Sequence, residues 1–501
     1  MSKQVVTLII IFLIIKVCLL SQTTFNNTFD FSNGVEQAYS LTAVNDGFIL
    51  VGSGWGYEIG AFFDVKIKYA KINLDGNLVW QKFIGDTSID LFTFPQSSFL
   101  SQDGNVIFCG SRQTFTTSKI HLIKINSNTG DTIFYKEFDF DDEIYGLQVQ
   151  ELADGSLITL GYDSNDIFAY LFLKTTSDGE FIWEKRYGST IEDQPTNFNI
   201  VEDTIYTVNC NSFCLPEGYR IRKIDADGNI ITTDFFADDC VANGRKSITN
   251  GFIGVGAYYP VPPYQTFIYK TDGVGNVLWH YETSIDMDTL EYEQLFPDIV
   301  KELPNGDMIV AGYFSSNNLG SYFGLVSKIN IEGIPYWERI YTSTPDIYDD
   351  NILYDIDFSN DGGIILAGSA FGEEALEGQN FWALKLDSLG CLMPGCDTLN
   401  DPIMELYFDK PGILVYPNPV HEEAIIQITN NNILEFNTIE LQLTDITGKI
   451  VIQNNISKAS LIFEGNQLRF SFQRNLIPNG IYFLNIYSQN ILLGAEKIIL
   501  Q

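Results

Sequence analysis

The sequence predicts an all-β protein: a seven-bladed β-propeller of four-stranded antiparallel blades, followed by a small β-sandwich. Three observations carry that reading. One unit of roughly fifty residues recurs seven times, each copy alternates apolar and polar residues between Gly turns, and near Cys396 the pattern gives way to a second grammar of short strands.

The unit is clearest in its first copy. A turn at Asn45-Asp46-Gly47 leads into an apolar strand, Phe48 to Val51, closed by Gly52; after a variable loop come Lys71-Ile72-Asn73-Leu74-Asp75-Gly76-Asn77 and then Trp80. The second turn glycine returns as Gly76, Gly130, Gly179, Gly228, Gly275, Gly333 and Gly390, at intervals of 47 to 58 residues. A lysine precedes each by five or six residues: Lys71, Lys124, Lys174, Lys223, Lys270, Lys328 and Lys385. Four residues after the glycine stands an aromatic in five copies, Trp80, Phe134, Trp183, Trp279 and Trp337, whereas copies four and seven carry Thr232 and Pro394. Tight two-residue hairpins need a positive φ that a Cβ penalises, so glycine marks them, and the intervening Val, Ile, Tyr and Phe suit a pleated surface.

Such a sheet cannot bury both faces alone, so tandem copies are expected to stack radially as blades. Copy seven ends at Leu389-Gly390-Cys391 without its Trp strand, and Thr24 to Asp30 resembles the ends of other copies. The N-terminal segment is therefore expected to complete blade seven. From Thr23 to Cys396 the chain resembles a broad group of secreted bacterial propellers with Asp-Gly-Asn and Trp repeats, and more loosely the quinoprotein propellers. That resemblance implies architecture rather than activity.

Ahead of the repeats, Met1-Ser2-Lys3 is followed by an apolar run from Val5 to Ile15, a break at Lys16, and Val17 to Gln22. This is the layout of a secretory signal peptide, expected over residues 1–22. The run falls short of the ~20 apolar residues that span a bilayer, so no transmembrane span is expected in the mature chain. The formal net charge of −35 argues against a nucleic-acid partner and suits a solvated surface outside the cell.

In an oxidising compartment close cysteines pair. Cys391 with Cys396 is the first candidate disulfide, and a second is expected among Cys210, Cys214 and Cys240, with Cys214 and Cys240 as its candidates; Cys109 reads as a buried apolar residue. There is no CxxC pair, and His121, His280 and His421 are the three histidines, so no metal site and no cofactor are expected.

Residues 397–412, polar and proline-marked, read as a linker to a domain at 413–501. That domain opens on Tyr416-Pro417-Asn418-Pro419, continues through Asp445-Ile446-Thr447-Gly448-Lys449, and closes on Gly480-Ile481-Tyr482-Phe483. Its turns and alternating strands suffice for a small sandwich. In the order and terminal position of these three motifs it resembles the type A C-terminal sorting domain of type IX secretion. The resemblance implies handling by the type IX secretion machinery and delivery to the outer cell surface or extracellular space, and implies nothing about what the propeller does there.

No catalytic residue is assigned from the sequence. Nucleophilic catalysis needs a base beside its nucleophile, and the three histidines are scattered. The turn acids Asp75, Asp178, Asp225 and Asp227 are explained by turn formation. The second-to-third loops are long and carry aromatics among amides and hydroxyls, which marks their face as the binding surface, with Trp55, Tyr57, Tyr258, Tyr259, Tyr264 and Tyr313 as candidates. The expected function is a non-enzymatic propeller binding a glycan or protein. The alternatives are a polysaccharide-cleaving enzyme with paired carboxylates in the propeller channel, and a structural surface component.

Overall fold

The computed structural model describes the chain except for residues 1–21, 32–33, 57–64, 86–88, 115–116, 141–142, 164–169, 189–193, 211–218, 237–242, 250, 259–264, 274–275, 283–291, 317–320, 345–348, 372–377, 393–403, 406–411, 430–437, 446–448, 458–461, 465–466, 475–476 and 489–490. The chain divides into two compact units: Met1–Leu392 with Leu399–Glu405, and Met393–Thr398 with Leu406–Gln501. Among the described residues the first unit holds seven antiparallel sheets, one per sequence copy.

Blade one is built from Gly34–Val44, Gly47–Gly56, Lys66–Asn73 and Leu78–Ile84. In blade two the first strand is interrupted, as Asp90–Phe92 and Ser98–Leu100, before Val106–Gln113, Ser118–Ile125 and Thr132–Phe138. Blade three runs Ile144–Glu151, Leu157–Asp163, Tyr170–Thr175 and Phe181–Tyr187; blade four runs Gln194–Val201, Thr204–Cys210, Tyr219–Ile224 and Ile230–Phe236. Blade five uses Asn243–Lys246, Phe252–Tyr258, Gln265–Thr271 and Val277–Glu282, and blade six Tyr292–Glu302, Met308–Ser316, Ser321–Ile329 and Pro335–Tyr341. Blade seven takes Asn351–Phe358, Ile364–Phe371 and Gln379–Leu386 from its own copy and Phe25–Phe29 from the N-terminus. Each sheet packs on the next in chain order, and blade seven packs on blade one, so the ring is closed.

Closure follows the expected register. Phe25 lies opposite Lys385, just as Trp80 lies opposite Lys71 and Trp183 opposite Lys174. Phe25 thus supplies the aromatic that Pro394 denies to copy seven. The aromatic and the turn glycine of the repeat are two halves of one interblade latch. Trp80 of blade one covers Gly130 of blade two, where an added Cβ would meet the indole at 2.9 Å; Trp279 covers Gly333 at 2.6 Å, and Phe25 covers Gly76 at 2.6 Å.

The repeated lysine is the third part of the unit. In three copies its stem is buried and its ammonium meets the acid of the first turn in its own blade, Lys71 with Asp46 at 2.7 Å, Lys124 with Asp103 at 2.7 Å and Lys385 with Asp361 at 2.5 Å, whereas Lys174 and Lys328 donate to the Ala226 and Ser388 carbonyls of the next blade and Lys270 meets Thr249 and Glu302. The turns differ in one respect from the two-residue hairpins expected. Three residues, Leu74 to Gly76, separate Asn73 from Asn77, whose backbones bond at 2.9 Å, and the Asn73 side chain accepts from Asp75 N and Asn77 N. This is a turn that ends in a left-handed residue, which still demands glycine at Gly76. Copy four, which lacks the first turn glycine, forms its turn with Glu202 and Asp203 in the left-handed region instead.

Each interblade space is an apolar core drawn from two sheets. Phe48 and Leu50 of blade one pack with Ile365, Phe381 and Ala383 of blade seven, and Phe172 of blade three with Phe198 and Ile205 of blade four. Sheets apolar on both faces are buried on both faces, which is why the middle strands read as unbroken hydrophobic runs. Cys109 is fully buried in one of these cores with a free thiol that burial pushes up.

The second unit contains two sheets. One orders Gly412–Tyr416, Glu423–Thr429, Gln467–Gln473 and Ile462–Glu464; the other orders Ile450–Ser457, Thr438–Asp445, Gly480–Ser488 and Ile491–Leu500. Their inner faces share one core around Ile426, Leu443, Phe470 and Leu484. The stretch expected as a linker lies outside the described residues except for Met404–Glu405, which pair in parallel with Ile340 and Tyr341, and Gly412.

Candidate functional site

The sorting motifs knit the opening of the second unit to its end. Asn418 donates to the Lys497 carbonyl and accepts from Ile499 N, both at 2.9 Å, and Val420 N donates to the Ile499 carbonyl at 2.7 Å. Tyr416 is exposed, and the peptide bonds before Pro417 and Pro419 are cis. Lys449 N donates to the Asp445 carboxylate at 3.1 Å, and Gly448 lies outside the described residues. Tyr482 is buried across Gly480 and donates to the Pro478 carbonyl at 3.0 Å.

Of the six aromatics expected on the long-loop face, two can be placed in full. Trp55 ends the second strand of blade one and is 43 % exposed, and Tyr313 of blade six meets Tyr322 edge-on at 5.4 Å. Tyr57, Tyr259 and Tyr264 lie outside the described residues, and Tyr258 is described in its backbone alone. Among the cysteines, Cys391 is buried and accepts from Arg339 Nη1 at 3.3 Å; Cys396, Cys214 and Cys240 lie outside the described residues. His121 is fully buried, and burial holds it well below the ordinary imidazole range, at about 3, so it stays neutral. Among the described residues no cluster of metal-ligating side chains occurs.

Among the described residues a cavity lies elsewhere, in the channel. It has a volume of about 400 Å³ and takes lining residues from the first strands of all seven blades. Those residues come from the C-terminal halves of the strands and from Gln102 in a first turn, which puts the cavity at the tight-turn end of the channel.

Register explains its chemistry. The residues paired with second-strand Ile49, Ile107, Ile158, Tyr206, Ile253, Ile309 and Ile365 are Thr42, Phe99, Gln150, Asn199, Arg245, Lys301 and Asp357, one per blade. Most of the polar members clamp the next blade's first strand. Gln150 accepts from Ile200 N at 3.0 Å, Asn199 from Lys246 N at 3.0 Å and Asp357 from Ala43 N at 2.8 Å; Thr42 bonds Ser98 at 2.8 Å, and Lys301 bonds Asp357 and the Ile356 carbonyl.

Arg245 departs from the ring. Its Nη2 donates to Gln96 Oε1, from blade two on the far side of the channel, and its buried Nε has no partner. Gln96 sits in the interruption of blade two's first strand, after Pro95, with a φ of 59°. Together they form a bar across the channel. Beside it Asp355 is buried; its Oδ2 accepts from Leu41 N at 2.9 Å and Ser40 Oγ at 3.0 Å, and its Oδ1 accepts from Ile356 N at 2.9 Å. Burial pushes Asp355 up to about 6, against the pull of Lys301. Further along the first strands, half-buried aromatics pair between neighbouring blades, Tyr39 with Tyr354 at 5.0 Å and Phe94 with Tyr145 at 6.2 Å.

None of these channel residues was singled out from the sequence. The signals were present: Arg245 and Lys301 share a column once the copies are aligned on their second strands, and Pro95 breaks the first strand of copy two.

A β-propeller, with seven sheets among the described residues, followed by a β-sandwich, is the class the register defines. Residues 414–501 match the family described as the secretion system C-terminal sorting domain, in line with the sorting-signal resemblance of the motifs. That match indicates secretion to the cell surface or extracellular space. No curated protein matches the chain. Similar solved structures include the Dos1 propeller, at 9 % identity over 73 % of this chain and 95 % of that one, with a TM-score of 0.42. Another is the propeller domain of the Trilobed protease from Pyrococcus furiosus, at 12 % identity over 75 % and 100 %, also with a TM-score of 0.42. A neuraminidase-like protein from A/bat/Guatemala/164/2009 is 8 % identical over 76 % and 97 %, with a TM-score of 0.40. At such scores the fold rests on the strand register rather than on these likenesses.

Proposed function

We propose that the protein works outside the cell as a non-enzymatic propeller that binds a glycan, exported by means of its type IX sorting domain. The observation that supports binding over cleavage is the occupancy of the paired channel acids. Asp355 and Asp357 spend their oxygens on blade-one backbone amides and on Lys301, which makes them ties of the ring closure. A glycosidase needs one such acid to protonate a leaving group and the other to face the sugar. Exposed aromatic surface at Trp55 and a polar channel suit sugar rings and hydroxyls.

The test incubates the full-length protein with a panel of polysaccharides and records both retention and released reducing ends. Retention without release, weakened by Trp55→Ala, supports the reading. Released ends would replace it with the enzyme reading, and retention of none, with capture of a protein ligand instead, would replace the glycan. Removal of residues 414–501 is expected to keep the propeller inside the cell, read by fractionation. The buried Cys391 is proposed to pair with Cys396, which non-reducing peptide mass mapping checks.

A further inference from the structure

The channel cavity carries the glycan reading one step deeper. Resting on that reading, we infer that the tight-turn end of the channel receives one uncharged sugar residue, the terminal unit of a glycan, seated on the Gln96–Arg245 bar.

Four observations converge on this. The cavity, at about 400 Å³, lies in the size range of small-ligand sites of ~300–1,000 Å³ and is lined by residues of all seven blades, which suits a single terminal unit. The bar joins blade two to blade five, and both of its residues line the cavity. Arg245, a lining residue, has its Nε buried without an acceptor, an uncompensated donor that a small shift of the side chain would offer to a ligand oxygen. Gln96 is held at a φ of 59°, a conformation a non-glycine residue keeps only where its surroundings impose it, and its amide oxygen accepts from Arg245.

Charge decides the class of ligand. The lining cations Arg245 and Lys301 are offset by Asp355, Asp357 and Glu151, so the cavity has no positive excess to attract an anion. Sugar hydroxyls both donate and accept, which matches a wall of amides, hydroxyls, carboxylates and cationic N–H groups. Arg245 Nε would donate to one of them.

Saturation-transfer NMR on the full-length chain with glucose, galactose, mannose, N-acetylglucosamine and glucuronate tests this, together with competition against the retained polysaccharide. At least one uncharged sugar is expected to bind and to displace the polymer. Arg245→Lys keeps the charge and removes the Nε donor, and is expected to weaken binding by tenfold or more. Gln96→Ala is expected to do the same, and carries the test if thermal unfolding shows the Arg245 variant to be misfolded. Val79→Ser, on an outer strand, is expected to change nothing. Binding of glucuronate alone, or binding unaltered by both channel substitutions, would overturn the inference. Polysaccharide retention that no monosaccharide displaces would sink this inference while leaving the glycan reading in place; absence of all retention would sink both.

Discussion

At the scale of single residues, the turn glycines are of two kinds. Gly333 has a φ of 83° and lies under Trp279, whereas Gly104 has a φ of 81° with nothing within 4 Å of its missing Cβ. Gly333→Ala is expected to cost about 2–4 kcal/mol, because it adds displacement of the indole to backbone strain, and Gly104→Ala about 1 kcal/mol from strain alone. Urea unfolding of both variants checks the difference. Asp355 makes a second case. Its folded value of about 6 stands above the ordinary carboxyl range, so the native state holds the proton more tightly than the unfolded chain. Its ionisation therefore costs stability that is recovered as pH falls from about 6 towards 4. Asp355→Asn is expected to flatten the stability–pH curve across that window, by up to ~3 kcal/mol end to end, as chemical denaturation at a series of pH values will show. Asp103 runs the other way: burial opposes it, yet the bond to Lys124 holds it down at about 2, so its contribution is present above about pH 4 and lost below. The repeated lysines and the turn acids were visible in the sequence, but their pairing was not, because lysine and acid sit on opposite sides of a variable loop.

At the scale of elements, the N-terminal strand is the lock of the ring. Phe25 is 6 % exposed between Gly76, Phe48 and its partner strand. Phe25→Ala is expected to destabilise by about 3–4 kcal/mol and to raise hydrogen exchange first in Gln379–Leu386, the strand it pairs with. The tryptophan latches differ among themselves. Trp80 donates its indole N–H to the Asn128 carbonyl at 2.8 Å, while the buried indole N–H of Trp183 has no acceptor. Trp80→Phe is therefore expected to cost about 1 kcal/mol more than Trp183→Phe in thermal unfolding, since only the former loses a hydrogen bond. The latch was half legible. The spacing of glycine and aromatic showed that they belong to one unit, but a spacing cannot tell that the aromatic of one copy covers the glycine of the next. The outer strands of blades one, two, three, five and six also carry a bulge just before the aromatic, as between Leu78 and Trp80, which sets that spacing at four.

At the scale of the whole molecule, Gln22, the last residue read as signal peptide, also bonds into the ring. Gln22 donates to the Asp361 carbonyl at 2.7 Å and accepts from Ser388 N at 3.0 Å, both in blade seven. A mature chain that retains Gln22 is expected, since these two bonds hold it to blade seven, and intact-mass measurement of secreted protein checks this. By itself the sequence determined the seven repeats, the closure of blade seven by Thr24 to Asp30, the sandwich and its sorting motifs. These are local patterns of period, turn chemistry and spacing, and each survives translation along the chain. The tertiary structure alone decided what the ring encloses. Thr42, Gln150, Asn199, Lys301 and Asp357 tie neighbouring blades together, and Arg245, at the same register, reaches across to Gln96. Residues about 50 apart in sequence become neighbours only once the ring has closed, and Arg245 and Gln96, 149 apart, meet only across its axis.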